Sequence, residues 1–207
     1  MKTTLFSLAT LASSLGLGMV PLPATAMAVQ WSGNNHYYEY VSGQFNFDQA
    51  KTAAETSIFN GINGHLVTVT SIGEETFILN NLFPSDRPNY WLGASDEEEE
   101  GLWQWVSGPE TGQVFWQLGG SPEFNQGNHN NWATGEPNNF GFRGEDFAVG
   151  NWVEAGQWND WGGQQRAGYV VEYSQPVPTP ALLPGLLGLG LAAFKRRRGN
   201  IEAEKLL

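Results

Sequence analysis

The spacing of apolar residues predicts a first helix over residues 47–59. Apolar side chains recur there three or four positions apart, so they share one face of a helix. That face consists of Phe47, Ala50, Ala54 and Ile58, with Asp48 acidic near the start.

A second helix is predicted over residues 71–82. Ser71 is the expected N-cap, and Glu74, three residues later, is its expected capping-box partner. The apolar stripe of this helix consists of Ile72, Phe77, Ile78 and Leu82.

Short aromatic or alternating stretches predict strands at residues 36–41 and 66–69. Trp103 and Trp105 alternate with polar neighbours, which indicates one face of a further strand. Two helices combined with short aromatic strands indicate an α+β domain.

Residues 1–28 have the features of a secretory signal peptide. Lys2 supplies the positive end, residues 5–20 are mostly apolar, and small residues at 24–28 offer cleavage sites. A membrane-spanning helix is the alternative, but it needs about 20 mostly apolar residues, and Pro21 and Pro23 interrupt the run. We therefore expect an exported protein with its folded domain at residues 29–174.

Composition narrows the classes of partner. The 207 residues carry a net charge of -11. Binding to nucleic acid phosphates needs a basic face, so this charge argues against nucleic acid as a partner. The nine Trp, twelve Phe and six Tyr residues can bury a substantial core. The three histidines, at positions 36, 65 and 129, do not have metal-ligand spacing, which argues against zinc.

Oxygen-bearing side chains concentrate between residues 136 and 160. The stretch contains Glu136-Pro137-Asn138-Asn139, then Glu145-Asp146, then Trp158-Asn159-Asp160. Carboxylates and amide carbonyls suit Ca²⁺, which takes 6–8 oxygen ligands. A carboxylate paired with an amide also matches a sugar hydroxyl, which both donates and accepts. The alternative is that these residue types merely form turns.

The order of these motifs resembles the calcium and sugar site of C-type lectin domains. The resemblance runs from about residue 36 to residue 173. Three more segments resemble strands of the family: Gly64-His65-Leu66-Val67-Thr68-Val69, Trp91-Leu92-Gly93-Ala94 and Tyr169-Val170-Val171-Glu172. It implies two helices flanking small antiparallel sheets, with a long calcium-binding loop region.

The resemblance also implies the site residues. The implied ligands of a calcium ion that binds sugar are Glu136, Asn138, Glu145, Asn159 and Asp160. Those of an auxiliary calcium ion are Asp96, Glu100, Asn139, Glu145 and Asp146, although the acidic run that contains the first two could simply be a solvated loop.

Details of the central motif carry further expectations. In the family the Glu136-Pro137 bond is typically cis, and the order Glu-Pro-Asn implies sugars with adjacent equatorial hydroxyls, such as mannose, glucose, N-acetylglucosamine or fucose. The segment from Glu136 to Asn159 is slightly longer than in compact members of the family.

The chain departs from the family in having no cysteine. Members commonly carry two disulfides, and the matching positions here are Ala54, Phe147, a residue near Gly163, and Val171. The domain must therefore be held by its core and by calcium.

Two other functions fit part of the sequence pattern. Paired carboxylates could hydrolyse glycosides, but each acid of the central stretch has a role as a metal ligand, and no nucleophile has a recognisable setting, so we expect no enzyme. A calcium-stabilised protein-interaction or matrix domain without sugar binding remains an alternative. Most tryptophans are expected in the core, although some indoles could stack on sugar faces. The insertion at residues 117–131 could lie beside the sugar site and extend it.

The last part of the chain changes in composition. Residues 175–180 form a Pro-rich linker, an apolar segment follows at 181–194, interrupted by Pro184, and Lys195-Arg196-Arg197-Arg198 comes next. With Pro178-Thr179-Pro180-Ala181, residues 181–207 resemble the PEP-CTERM class of bacterial sorting tails. That resemblance implies membrane anchoring until a sorting transpeptidase cuts the tail, leaving the domain at the cell surface or in secreted matrix.

Overall fold

The computed structural model describes residues 27–83 and 85–174. Most of the expected signal peptide, the linker and the sorting tail lie outside the described residues. Within the described part, no helix is both long enough and apolar enough to cross a membrane.

The domain is built on one mixed sheet with a small separate hairpin. The strands are β1 (Val29–Gln30), β2 (Tyr37–Phe45), β3 (Ile58–Phe59), β4 (Ile62–Asn63), β5 (His65–Leu66), β6 (Tyr90–Ser95), β7 (Leu102–Trp105), β8 (Val114–Gln117), β9 (Phe147–Gly150), β10 (Asn159–Trp161) and β11 (Ala167–Tyr173). In the sheet the order is β1-β2-β11-β6-β7-β8, with β9 joining β6 to β10 and β5 pairing with β11, while β3 and β4 form the separate hairpin. The last strand, β11, pairs antiparallel with β2 and parallel with β6, so the two ends of the domain meet in its centre.

Side chains of the central strands alternate between two apolar cores. In β11, Val170 joins the core that contains Ile78 of the second helix, whereas Tyr169 and Val171 join the core that contains Ala50 of the first. Successive side chains of a strand point to opposite faces, so the sheet separates the cores. The α+β prediction is confirmed.

The described residues form three helices: α1 (Phe47–Thr56), α2 (Ile72–Leu82) and α3 (Pro122–Gly127). The prediction for α1 was wrong at its end, because the chain leaves the helix at Ser57 and Ile58 lies 68% exposed in β3. In α2 the predicted N-cap Ser71 is correct, but Ile72 is 70% exposed and does not belong to the buried stripe. The position of α3 shows no helical period of apolar residues, and no helix was predicted there.

The predicted capping box of α2 was half right. Ser71 accepts a bond from the Glu74 backbone N–H at 3.2 Å. The Glu74 carboxylate, however, accepts bonds from the backbone and hydroxyl of Thr70 and, at 2.6 Å, from the buried Tyr38 hydroxyl. It turns inward because Tyr38 offers it a donor in the core.

Apolar packing occupies one of the regions where the family often has a disulfide. The Phe147 ring stacks on Phe47 with centroids 4.1 Å apart. A Cβ atom at Gly163 would lie 2.6 Å from the Phe147 ring. Gly163 therefore leaves room for the large ring of Phe147.

Candidate functional site

Strand pairing brings the two halves of the central motif together. In the antiparallel β9–β10 pair, Asn159 lies opposite Val149 and Asp160 lies opposite Ala148. The Ala133 N–H donates to the carbonyl of Trp158 at 2.8 Å, which holds the segment leading to Glu136 beside the start of β10. The motifs thus meet at one end of the sheet although they are distant in sequence.

Asp160 fixes the loop that follows Glu136. Its fully buried carboxylate accepts the backbone N–H of Asn138 at 2.9 Å and that of Asn139 at 2.6 Å. The Glu136-Pro137 bond is cis, as predicted. Asp160 therefore joins the Glu-Pro-Asn loop to the Trp-Asn-Asp strand through hydrogen bonds, in addition to any role as a metal ligand.

Glu145 closes the same loop from its other end. Its backbone N–H donates to Oδ1 of Asn139 at 2.8 Å, and its Oε2 accepts the N–H of Phe140 at 3.1 Å. Asn139 adopts a left-handed backbone conformation with φ of 49°, one that asparagine tolerates better than most residues. The side chains of Asn139 and Glu145 are thereby held at the base of the loop.

The acids proposed for an auxiliary ion lie beside this loop. The Asp96 N–H donates to the carbonyl of Asp146 at 3.2 Å, and Oδ2 of Asp96 accepts the N–H of Gly101 at 2.8 Å. The Asn139 amide donates to Oε2 of Glu100. The structure thus links Asp96 with Asp146 and Asn139 with Glu100.

The carboxyl groups repel one another. Burial, and then the negative charges of Asp160 and Glu145, raise the pKa of Glu136 to about 7. Burial, with added repulsion from Glu100 and other neighbouring carboxylates, raises the pKa of Asp96 to about 7.

Two more carboxyls behave alike. The pKa values of Glu145 and Asp146 are raised first by burial and then by the charge of Asp160. A cation among these groups would relieve the repulsion.

Three oxygens at the site are buried without a hydrogen-bond donor: Asp96 Oδ1, Glu136 Oε2 and Asn159 Oδ1. The Asn159 amide N–H donates to the carbonyl of Asp160 at 2.8 Å, which leaves its oxygen free to act as a ligand. Buried polar atoms normally have partners, so these atoms fit a hard cation. Within the described ranges no three His, Cys, Asp or Glu side chains form a cluster suited to a metal.

Glu75 was not predicted as a site residue, but its buried carboxylate accepts bonds from the Trp158 indole at 2.9 Å and the Asn131 amide at 3.1 Å. Its spacing could have revealed that it is buried, because positions 75, 78 and 82 share one face of the helix, the face that carries the apolar stripe.

The tryptophans are mostly part of the core, as predicted. Trp103, Trp105 and Trp158 are essentially inaccessible, and Trp132 packs against Trp103 with centroids 4.6 Å apart. Trp152 remains 40% exposed.

Comparison with known proteins identifies the family. The family model described as the lectin C-type domain matches residues 44–171, more than half of the chain. Halomucin of Haloquadratum walsbyi is 41% identical over 140 residues, which cover 68% of this chain and 1% of halomucin. Hepatic lectin of Gallus gallus is 30% identical over 159 residues, which cover 75% of this chain and 63% of that lectin.

The chain therefore spans less than two thirds of either relative's length. Among solved structures, the human scavenger receptor C-type lectin carbohydrate-recognition domain matches with a TM-score of 0.54 and 25% identity, covering 72% of this chain and 96% of that domain. The chain belongs to the C-type lectin domain family.

Proposed function

We propose that the domain binds carbohydrate through a calcium ion held by Glu136, Asn138, Glu145, Asn159 and Asp160. The observation that carries this proposal is the pair of donor-free oxygens on Glu136 and Asn159, which lie among carboxyl groups whose repulsion a cation would relieve. Family membership supports carbohydrate binding in general.

The carboxylates and the amides of the site make different contacts with a sugar. Carboxylate oxygens of Glu136 and Glu145 accept hydrogen bonds from sugar hydroxyls, and the amide groups of Asn138 and Asn159 donate to the lone pairs of the same hydroxyls. The ion supplies Lewis acidity toward two neighbouring hydroxyl oxygens when it is bound. Asp160 keeps the loop in place through the backbone of Asn138 and Asn139.

The proposed ligands are sugars of the mannose, glucose, N-acetylglucosamine or fucose type, with adjacent equatorial hydroxyls. The order Glu136-Pro137-Asn138 supports this class. Members of this family are in general not enzymes. We propose no catalytic activity.

An auxiliary calcium site is proposed at Asp96, Glu100, Asn139, Glu145 and Asp146. The donor-free Oδ1 of Asp96 and its raised pKa support it. Asn139 stands where a carboxylate would add charge, and its amide already bonds to Glu100. This ion is therefore expected to bind more weakly than the first.

We also propose that the protein is exported by a signal peptide at residues 1–28. Residues 29–174 would form the lectin domain, residues 175–180 a linker, and residues 181–207 a sorting tail that anchors it in a bacterial membrane until a transpeptidase acts. The sequence features of both ends support this proposal. The domain would then act at the cell surface or in extracellular matrix.

A double exchange of donors and acceptors tests the sugar site. Glu136→Gln with Asn138→Asp keeps the size and the total charge of the pair while reversing their order. A sugar binder should shift its preference toward galactose or lose binding on a glycan array in millimolar calcium. Unchanged binding to mannose-type sugars would overturn the site. A partner protein that binds the unmodified protein and the double variant equally well would favour the protein-interaction alternative.

A further inference from the structure

The turn between β3 and β4 consists of two exposed residues, Asn60 and Gly61. Phe59 and Ile62 pair on either side of it. Both turn residues have positive φ, 51° for Asn60 and 78° for Gly61, as a type I′ turn requires. Asparagine followed by glycine is the preferred pair for this turn, so the fold accounts for the presence of the dipeptide.

The same dipeptide is chemically labile. The backbone nitrogen of the residue after an asparagine can attack the side-chain amide carbon, and glycine hinders this attack least because it has no side chain. A Cβ atom at Gly61 would meet nothing within 4 Å, so the Asn60 side chain has room to swing over the Gly61 nitrogen. Among the described residues, no backbone carbonyl accepts a hydrogen bond from the Gly61 N–H.

The hairpin that carries this turn is small. β3 and β4 have two residues each and form a sheet of their own. Ile58 is 68% exposed, whereas the Phe59 ring lies 5.1 Å from that of Tyr37 and 5.5 Å from that of Tyr173. An isolated two-stranded hairpin is marginally stable, and local opening costs less free energy than global unfolding. The turn can therefore reach the backbone conformation that the attack needs.

A second Asn-Gly pair, Asn63-Gly64, lies three residues later in a different setting. Gly64 is buried, and its N–H donates to the carbonyl of Ser57 at 3.0 Å. A Cβ atom at Gly64 would lie 2.5 Å from a methyl carbon of Val171, so the surroundings are packed. Attack by the Gly64 nitrogen on Asn63 would have to break this hydrogen bond inside the packed region.

We propose that Asn60 is a site of spontaneous deamidation and that Asn63 is protected from it. The Gly61 nitrogen forms a bond to Cγ of Asn60 and gives up its proton, and the side-chain nitrogen takes up that proton and leaves as ammonia. Water then opens the resulting succinimide at either carbonyl, which yields aspartate or isoaspartate. The reaction consumes water alone, and this inference does not depend on the proposed function.

Isoaspartate lengthens the backbone of the turn by one methylene group and adds a negative charge. A two-residue turn cannot absorb the extra atom while its flanking residues stay paired, so the pairing of β3 with β4 is lost. Phe59 is then released from Tyr37 and from Tyr173, the last residue of β11. The fraction of protein with a loosened hairpin therefore grows with the age of the protein.

Peptide mapping by mass spectrometry of the full chain, aged in mildly alkaline buffer with calcium, tests the proposal. Asn60 should deamidate at least about tenfold faster than Asn63, since opening one more buried hydrogen bond costs about that factor. Asn60→Gly, which also suits a type I′ turn, should abolish the reaction and keep the melting temperature constant during ageing. The unmodified protein should lose melting temperature in step with its isoaspartate content.

Equal rates at the two asparagines, or a faster reaction at Asn63, would overturn the proposal. It would also be overturned if Asn60 stayed intact while an unstructured peptide of residues 57–66 deamidated, because the turn would then block the attack. Asn60→Asp separates the added charge from the added backbone atom. This variant should melt close to the unmodified protein, and a loss as large as that of the isoaspartate form would contradict the role given to the backbone.

Discussion

The buried carboxylate of Glu75, on α2, accepts a hydrogen bond from the indole N–H of Trp158 at 2.9 Å. The same carboxylate accepts the Asn131 amide, and His129 Nε2 lies 3.3 Å from it without hydrogen-bond geometry. Trp158 immediately precedes Asn159 and Asp160 in the chain. Glu75 thus connects a core helix and the insertion loop to the strand that carries two proposed calcium ligands.

Replacing Glu75 with Ala should lower the free energy of unfolding by about 2–4 kcal/mol, because two buried donors lose a charged acceptor. It should also weaken calcium binding, since Trp158 would no longer be held. Urea unfolding and calcium titration followed by tryptophan fluorescence measure the two effects. Glu55→Ala is the control, because the exposed Lys51–Glu55 pair should contribute less than about 1 kcal/mol. Equal stability of the two variants would contradict this role.

Asp160→Asn should free the Glu-Pro-Asn loop. The substitution places an amide N–H₂ where the carboxylate now accepts the backbone N–H groups of Asn138 and Asn139. Hydrogen exchange at these two amides should accelerate, and the rise in melting temperature with calcium should shrink. Asp86→Asn, on the exposed segment before β6, should alter neither quantity. Protected amides in the Asp160 variant would show that other contacts hold the loop.

Gly163→Ala should destabilise the domain by about 1–3 kcal/mol through overpacking against Phe147. Gly127→Ala is the matched control, because a Cβ atom there meets nothing within 4 Å. Thermal unfolding in fixed calcium compares the two. Adding Phe147→Ala, which removes the clashing ring, should make the combined effect less than additive. Strict additivity would mean that the ring and the glycine do not constrain each other.

Stability should decrease as pH rises toward and past neutrality because of a buried cluster around Glu172. The 2.6 Å hydrogen bond to Glu172, helped by the charges of Glu74 and Glu110, raises the pKa of His36 above 6.5. Its contribution is complete below pH 6.5 and is lost as pH rises through the folded-state value. Burial and the charge of Glu172 raise the pKa of Glu74 from 4.5 to about 7, so folding binds a proton between these values. The stability that this proton provides is likewise lost as pH rises.

Urea unfolding from about pH 5 to about pH 8, with calcium fixed, measures this dependence. His36→Gln should flatten the upper part of the profile and Glu74→Gln the lower part. Lys51→Gln, on the exposed face of α1, should leave the shape unchanged. If the profile of His36→Gln ran parallel to that of the unmodified protein, His36 would not contribute to the pH dependence of stability.

Local sequence patterns were sufficient for much of the fold. The 3.6-residue period located α1 and α2, and Ser71 marked the start of the latter. The end of α1 was misplaced because Ile58 fits the helical period but sits in a hairpin strand. α3 was missed within a Gly- and Asn-rich stretch, although Ser121 followed by Pro122 is a typical helix start.

The candidate site was predictable in its residue types and not in its contacts. Order and spacing drew attention to Glu136, Asn138 and Asp160. The hydrogen bonds between Asp160 and the backbone N–H groups of Asn138 and Asn139 span more than 20 residues. The local periodicity of a sequence cannot predict contacts between residues so far apart. The inward turn of Glu74 and Glu75 likewise depends on donors from distant segments, Tyr38 and Trp158.

Retention on a mannan column in millimolar calcium, repeated in EDTA, tests the central claim most directly. Extracellular calcium sites often bind with dissociation constants of about 10⁻⁴ to 10⁻³ M, so the metal must be supplied in excess. We predict retention in calcium that EDTA abolishes and that Glu136→Gln with Asn138→Asp removes. Absence of retention, with a melting temperature that still rises with calcium, would contradict sugar binding and leave the ion a structural role.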